Sequence, residues 1–187
     1  KTMMLSEVYQ RSSRFNQQNA EIDGDNQYLW RQNTKRLDAE AMRDSILQVA
    51  GKLSDSIGGS PSNITYGSGF NRRMIYAKVS RTAPDSMRAT FDFPSAVTSS
   101  PKRNLTTVPQ QKLFYLNSSF MMNMAQNFEK RLRSYHKAPS RQLDYAYKLL
   151  FSRSPKTEES KKLLPLLEGD AKTRQLLAQA LLISNEF

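Results

Sequence analysis

From about Lys35 to Leu53, the residues Ala39, Met42, Ile46, Val49 and Leu53 recur at alternating steps of three and four. That spacing puts them on one face of an α-helix and rules out the two-residue alternation of a strand, so a helix with one buried face is the first element fixed. Gly51 weakens its last turn, and Gly58-Gly59-Ser60-Pro61 ends the unit. The same period returns downstream, where Phe114, Met121, Ala125, Phe128, Leu132 and Tyr135 share a face. Pro109 suits the first turn of that helix, with Thr107 or Val108 near its cap, and Asn117-Ser118-Ser119 is where it would break. Pro139-Ser140 restarts a helix bearing Leu143, Tyr147 and Leu150. Thr157 is the expected cap of another, with Glu158 and Glu159 well placed in its first turn, and Asp170 the cap of the last.

The earlier part of the chain is less regular. Met4, Leu5, Val8 and Tyr9 fit a helix over 3–14, residues 15–27 read as a loop around Gly24, and Asp25-Asn26 could cap a short helix holding Tyr28, Leu29 and Trp30. Residues 60–71 read as an exposed loop. Met74-Ile75-Tyr76-Ala77-Lys78-Val79 alternates like a strand, with Ala89 to Phe93 as its best partner. The expected fold is mainly α: a helical core over 1–137 with a short β element of one or two strands near 73–93, and a C-terminal three-helix unit over 138–187 packed on it as one continuous domain.

Composition sets limits. Hydrophobic residues make up 38 % of 187 residues, enough for a core, and no apolar run nears the roughly 18 residues that span a bilayer. The absence of cysteine excludes disulfides, thiolate catalysis, zinc ribbons and CxxCH haem attachment from this segment. Lys1-Thr2-Met3-Met4-Leu5 reads as the middle of a helix, so a fragment of a longer protein is expected. The net charge of +11, from 28 Lys and Arg against 17 Asp and Glu, suits a polyanion or an acidic partner domain. Because the cations are dispersed rather than gathered in one tract, nucleic acid is disfavoured and acidic polysaccharide or an acidic neighbour preferred.

Residues able to carry chemistry are few. His136 is the only histidine, which leaves no Ser-His-Asp triad and no multi-histidine metal site; it reads as a surface histidine at a helix end. The densest charge cluster is Arg36, Asp38, Glu40, Arg43 and Asp44. On a helix Arg36, Glu40 and Arg43 fall on one side, and Asp44 flanks Glu40. Two such carboxylates could act as acid and base, but arginines on either side favour their charged forms and fit helix docking better. Arg72, Arg73, Lys78 and Arg81, interleaved with Tyr76, form a candidate anion-binding strand; a charged sheet edge explains them as well. Gly58-Gly59 and Gly67-Ser68-Gly69 lack a phosphate-loop framework. Asn117 reads as a buried amide, and Asn63-Ile64-Thr65, Asn104-Leu105-Thr106 and Asn117-Ser118-Ser119 match the N-glycosylation pattern. No catalytic set, cofactor or metal site follows from the sequence.

Several blocks taken together carry a family resemblance: Ser6 to Arg14, Asp25 to Arg31, Lys35 to Ser45, Gly58-Gly59, Phe91-Asp92, Pro101 to Gln110, Leu116-Asn117-Ser118 and Ser184 to Phe187. In order and spacing they resemble the Planctomycete-specific domain one, a C-terminal domain of unknown function in large planctomycete envelope proteins that often also carry c-type cytochrome domains. The resemblance implies an exported, periplasmic or envelope location, a parent protein with further domains as partners, and helices preceding Lys1. It brings no catalytic residues. The expected function is a non-catalytic interaction or scaffolding module; a carbohydrate-active enzyme domain and an anionic-polymer-binding module are the alternatives.

Overall fold

The computed structural model describes all residues except 64–69, 84 and 105. Ile64 and Thr65 of one glycosylation triplet, Leu105 of another, Gly67-Ser68-Gly69 and much of the loop expected over 60–71 therefore lie outside the described residues. Among those described, the chain is mainly helical, with eight α-helices and no sheet. They are α1 (Gln17–Ile22), α2 (Ala39–Val49), α3 (Ser86–Thr90), α4 (Pro109–Asn117), α5 (Ser119–Tyr135), α6 (Pro139–Phe151), α7 (Thr157–Glu168) and α8 (Ala171–Leu182). None of them is long and apolar enough to cross a membrane. The chain divides into two units, Lys1–Leu37 and Asp38–Phe187.

The first unit is organised by polar side chains. The Asp23 carboxylate accepts the backbone N–H groups of Gln27 (2.9 Å) and Tyr28 (2.8 Å), and the Asp23 carbonyl accepts the Trp30 indole N–H (2.8 Å). The Asn26 amide donates to the Arg31 carbonyl and accepts the Arg31 N–H. Such bonds offer the backbone a local alternative to helix. Asn26 and Leu29 accordingly take left-handed φ values of 57° and 56°, and the helix expected at Tyr28 to Trp30 is a turn. The helix expected over 3–14 is likewise a string of turns followed by extended chain. The one helix of this unit, α1, lies where a loop was expected, started by Asn16, whose side chain accepts the Asn19 N–H.

The second unit is built on α5. Met121, Ala125 and Phe128 of α5 are fully enclosed by Ile46 and Leu47 of α2, Leu143 and Ala146 of α6, and Leu177 and Leu182 of α8. Ser118 separates α4 from α5: its backbone is extended and its hydroxyl accepts the Met121 N–H, which starts the second helix where the Asn-Ser-Ser break was expected. Pro139 opens α6, Pro109 opens α4 after Val108, and Asp170 caps α8, all as the sequence indicates. The cap of α7 is Lys156 instead of Thr157, with Glu159 reaching back to the Lys156 N–H (2.7 Å). Asn117, expected to be buried, is exposed at the end of α4.

On α2 the buried set is Ala39, Arg43, Ile46, Leu47 and Val49; Met42 and Leu53 are only half-buried. The helix ends four residues before Leu53, because Gly51 takes a φ of 68°. The Gly51 N–H then bonds the Gln48 carbonyl (3.1 Å) and the Lys52 N–H bonds the Leu47 carbonyl (2.8 Å), closing the terminus in a Schellman turn.

The short β element reduces to two isolated parallel bridges, Ser54 to Arg72 and Ser62 to Ala77, on either side of a 3-10 turn at Met74–Tyr76. The cause lies on α2. Asp44 accepts the Met74 N–H (2.9 Å), and Arg43 donates to the carbonyls of Phe70 and Arg72, so side chains take backbone groups that a strand partner would have used. Of the partner expected over Ala89 to Phe93, Ala89 and Thr90 end α3 and Phe91-Asp92 form a turn; α3 is started by Asp85, whose carboxylate accepts the Arg88 N–H (2.8 Å).

Other helix ends are completed from a different helix. Arg131 of α5 donates to Gln48 and Val49 at the end of α2, Gln179 of α8 to Tyr115 and Leu116 of α4, and Gln111 of α4 to Thr90 of α3. Gln142 of α6 bonds the His136 carbonyl just beyond α5. These are the carbonyls that a helix leaves without an internal partner.

Candidate functional site

The charge cluster read from the sequence centres on α2, whose register of three and four residues presents Glu40, Arg43 and Asp44 along one side. Arg36 belongs to the first unit and Asp38 is the N-cap of α2. Both Glu40 oxygens accept from Arg103, at 2.8 and 2.9 Å, a bidentate pair spanning 63 residues, and the Asp38 carboxylate lies 3.6 Å from the same guanidinium. The Arg103 guanidinium sits 5.3 Å from the Phe93 ring centre, and that of Arg88 sits 5.0 Å from the same ring. Arg88 also donates to the Lys78 carbonyl (2.6 Å). The start of α2 is thereby tied to the segment around Arg103.

Arg43, one turn further along, takes no part in the Arg103 pair. Its side chain is 2 % exposed, lies between the rings of Phe70 (5.0 Å) and Phe120 (5.4 Å), and donates to the Phe70 and Arg72 carbonyls. Asp44 holds the Met74 N–H, with Arg43 at 3.9 Å and Arg73 at 3.8 Å.

The two carboxylates, one turn apart, are pushed in opposite directions. Burial would raise both. For Asp44 it prevails over the Met74 N–H and the two arginines, so the acid form is favoured beyond the ordinary range. For Glu40 the Arg103 bonds and charge outweigh burial and hold it below that range. A split of this kind can divide acid and base roles when both groups face a cleft. Here each oxygen pair is engaged in fastening a loop to α2. A crevice lies elsewhere, between α5, α6 and α8, lined largely by Leu132, Leu143, Leu177 and Leu181 beside the Glu129–Arg174 ion pair.

The four cations of the anion-binding candidate do not converge. Arg72 turns onto Tyr76 (4.2 Å) and donates to the Gly58 and Ser60 carbonyls, while the Tyr76 hydroxyl accepts the Gly58 N–H. Arg73 turns to Asp44, and the side chains of Lys78 and Arg81 are exposed. His136 is exposed at the end of α5, where its Nδ1 accepts the Ala138 N–H (2.9 Å). No group of three or more potential metal ligands occurs among the described residues.

Sequence reasoning missed Arg103, Arg88 and Phe93. Arg103 lies in the block Pro101 to Gln110 that carries the family resemblance, but no local spacing connects it to α2. It also missed Arg153, which bonds Glu159 at 2.7 and 2.8 Å and Glu186 at 2.6 and 2.8 Å, joining the end of α6, the start of α7 and the C-terminal residues. Arg153 holds Glu159 down to about 2 and lowers Glu186 as well. A carboxylate that is more acidic when folded stabilises the fold above its unfolded value near 4.5, and that stabilisation is lost as pH falls from there toward 2. Thermal melts should therefore lose stability through this window. In Glu159→Gln the loss should be shallower and less sensitive to salt; an unchanged acid limb would show that the clasp carries no weight.

No curated protein and no solved structure matches the chain. A family model described as PSD1, a protein of unknown function (DUF1553), matches residues 1–167, which spans the first unit, the α2 cluster and the Arg103 segment and ends within α7. Since that is most of the chain, including every block on which the resemblance rested except Ser184 to Phe187, the chain belongs to the PSD1 (DUF1553) family.

Proposed function

We propose that this chain is a non-catalytic interaction or scaffolding module of a larger exported envelope protein, with other domains of the same protein as its first partners. The observation that supports it is the use made of the charged side chains. Glu40, Asp44, Arg43 and Arg103, the set best suited to acid and base chemistry, each bridge α2 to a distant loop. Charge in this arrangement fixes a surface in shape. The envelope location rests on the family resemblance alone. The second reading, a carbohydrate-active domain, draws on the opposed shifts of Glu40 and Asp44.

The two readings separate in one experiment. The purified chain is assayed for release of reducing ends from a panel of neutral and acidic polysaccharides, alongside Glu40→Gln and Asp44→Asn. The interaction reading expects no turnover above a heat-treated control. Turnover that is lost in Asp44→Asn at an unchanged melting temperature would establish the enzyme instead. Fractionating cells that produce the parent protein tests location, and recovery from the cytosol alone would count against the envelope.

A further inference from the structure

The net positive charge has one local concentration that the α2 cluster does not use. Residues 130–143 contain Lys130, Arg131, Arg133, Lys137 and Arg141 and no acidic residue. Within this stretch α5 ends and α6 begins, and across their junction Tyr135 stacks on Tyr145 with ring centres 3.8 Å apart and planes within 7°. One face of Tyr135 is thus covered, yet the residue remains 55 % exposed, so the open area is its opposite face. Among the described residues of the second unit, Tyr135 is the most exposed aromatic residue.

Cations stand one helical turn from each ring. Arg131 precedes Tyr135 by four residues, donates to the Tyr145 hydroxyl (3.3 Å) and otherwise bonds neutral carbonyls of α2, so its charge is not cancelled by a carboxylate. Arg141 precedes Tyr145 by four and is exposed. The nearby carboxylate, Asp144, is taken by Lys148 (2.7 Å) and the Ser154 hydroxyl (2.8 Å), and Arg141 adds its field to the same group. An exposed ring face in a stretch rich in guanidinium groups matches a sugar ring that stacks through its C–H face and carries a carboxylate or sulfate for an arginine. Single-stranded nucleic acid is favoured by a series of aromatic platforms, one for each base, and this face offers one.

We infer that the Tyr135–Tyr145 face, with Arg131 and Arg141, is a binding site for a carboxylated or sulfated polysaccharide. This rests on the interaction-module reading and gives that module a ligand class. The test is titration of the full chain with polygalacturonate and heparin, with neutral dextran and a thymidine oligonucleotide as comparisons, in parallel with Tyr135→Ser and Arg141→Gln. Neither substitution removes a buried group, and melting temperatures are measured for both. The expected result is binding to at least one acidic glycan, weakened about tenfold between low and physiological salt as for release of roughly two counterions. Each variant should lose at least fivefold in affinity, with melting unchanged in Arg141→Gln and lowered by no more than a few degrees in Tyr135→Ser, which gives up its stack on Tyr145. Binding to dextran as strong as to the acidic chains, oligonucleotide binding as strong as either, acidic-glycan affinity unaltered in both variants, or no binding at all would each overturn the site. Those results leave the module reading standing, because that reading fails only on turnover.

Discussion

Replacing Arg43 by methionine should destabilise the second unit by about 3 kcal/mol, the cost of stripping a buried charged donor from its partners. Methionine keeps an unbranched apolar stem against Phe120, so little of the loss would come from packing. What disappears is the donor to the Phe70 and Arg72 carbonyls, together with one of the two positive charges beside Asp44. The segment from Phe70 to Ala77 would then be fastened to α2 through Asp44 and the Met74 N–H. For a unit of this size the loss corresponds to a fall of roughly 10 °C in melting temperature. The contrast is Asp44→Asn, whose amide oxygen can still accept the Met74 N–H while no longer being a charge held against burial. Its effect should stay within about 1 kcal/mol, as for a single neutral hydrogen bond. Thermal melts followed by circular dichroism decide between them. Melting of Arg43→Met within about 2 °C of the parent would show that Arg43 does not fasten the Phe70 to Ala77 segment to α2.

The Glu129–Arg174 pair between α5 and α8 should behave differently when broken and when replaced. Its side chains are 11 % and 18 % exposed, and the Nε to Oε1 distance is 2.9 Å. Arg174→Leu leaves the Glu129 carboxylate beside an apolar crevice, with Arg133 3.9 Å away and too exposed to take over. The expected loss is about 3 kcal/mol. The double variant Glu129→Leu with Arg174→Leu removes both charges and fills the same crevice, so stability should return to within about 1 kcal/mol of the parent. Urea unfolding of the two single variants and the double gives the coupling directly. Additive losses would show that the two residues do not act as a pair.

Which parts of this molecule could be read from its sequence follows from how far each interaction reaches along the chain. The boundaries set by Pro109, Ser118, Pro139 and Asp170 depend on neighbours within four residues, and all four fall where the residues indicate. The segment Met74 to Val79 has the alternation of a strand, yet Asp44, thirty residues earlier, takes the Met74 N–H, Arg43 takes the Phe70 and Arg72 carbonyls just before it, and the segment opens with a 3-10 turn. Glu40 was legible as a residue held by arginine, but its partner Arg103 is 63 residues away in a proline-flanked connection. In the first unit Asp23 and Asn26 capture nearby backbone groups in a turn, where Asp25-Asn26 had been read as the cap of a short helix. Tyr135 was placed on the apolar face of α5 from its period; its stacking on Tyr145, made across the junction with α6, leaves it largely exposed.

The exchange of terminal bonds between helices bears on how the second unit comes apart. Freeing α8 strips Gln179 from the end of α4; α4 in turn secures the end of α3 through Gln111, and α5 that of α2 through Arg131. In each case displacing the helix that donates exposes the end carbonyls of its neighbour. Amide exchange at Ser118, Gly51 and Phe91 should therefore quicken together as denaturant is added, with one shared opening free energy in place of three local ones.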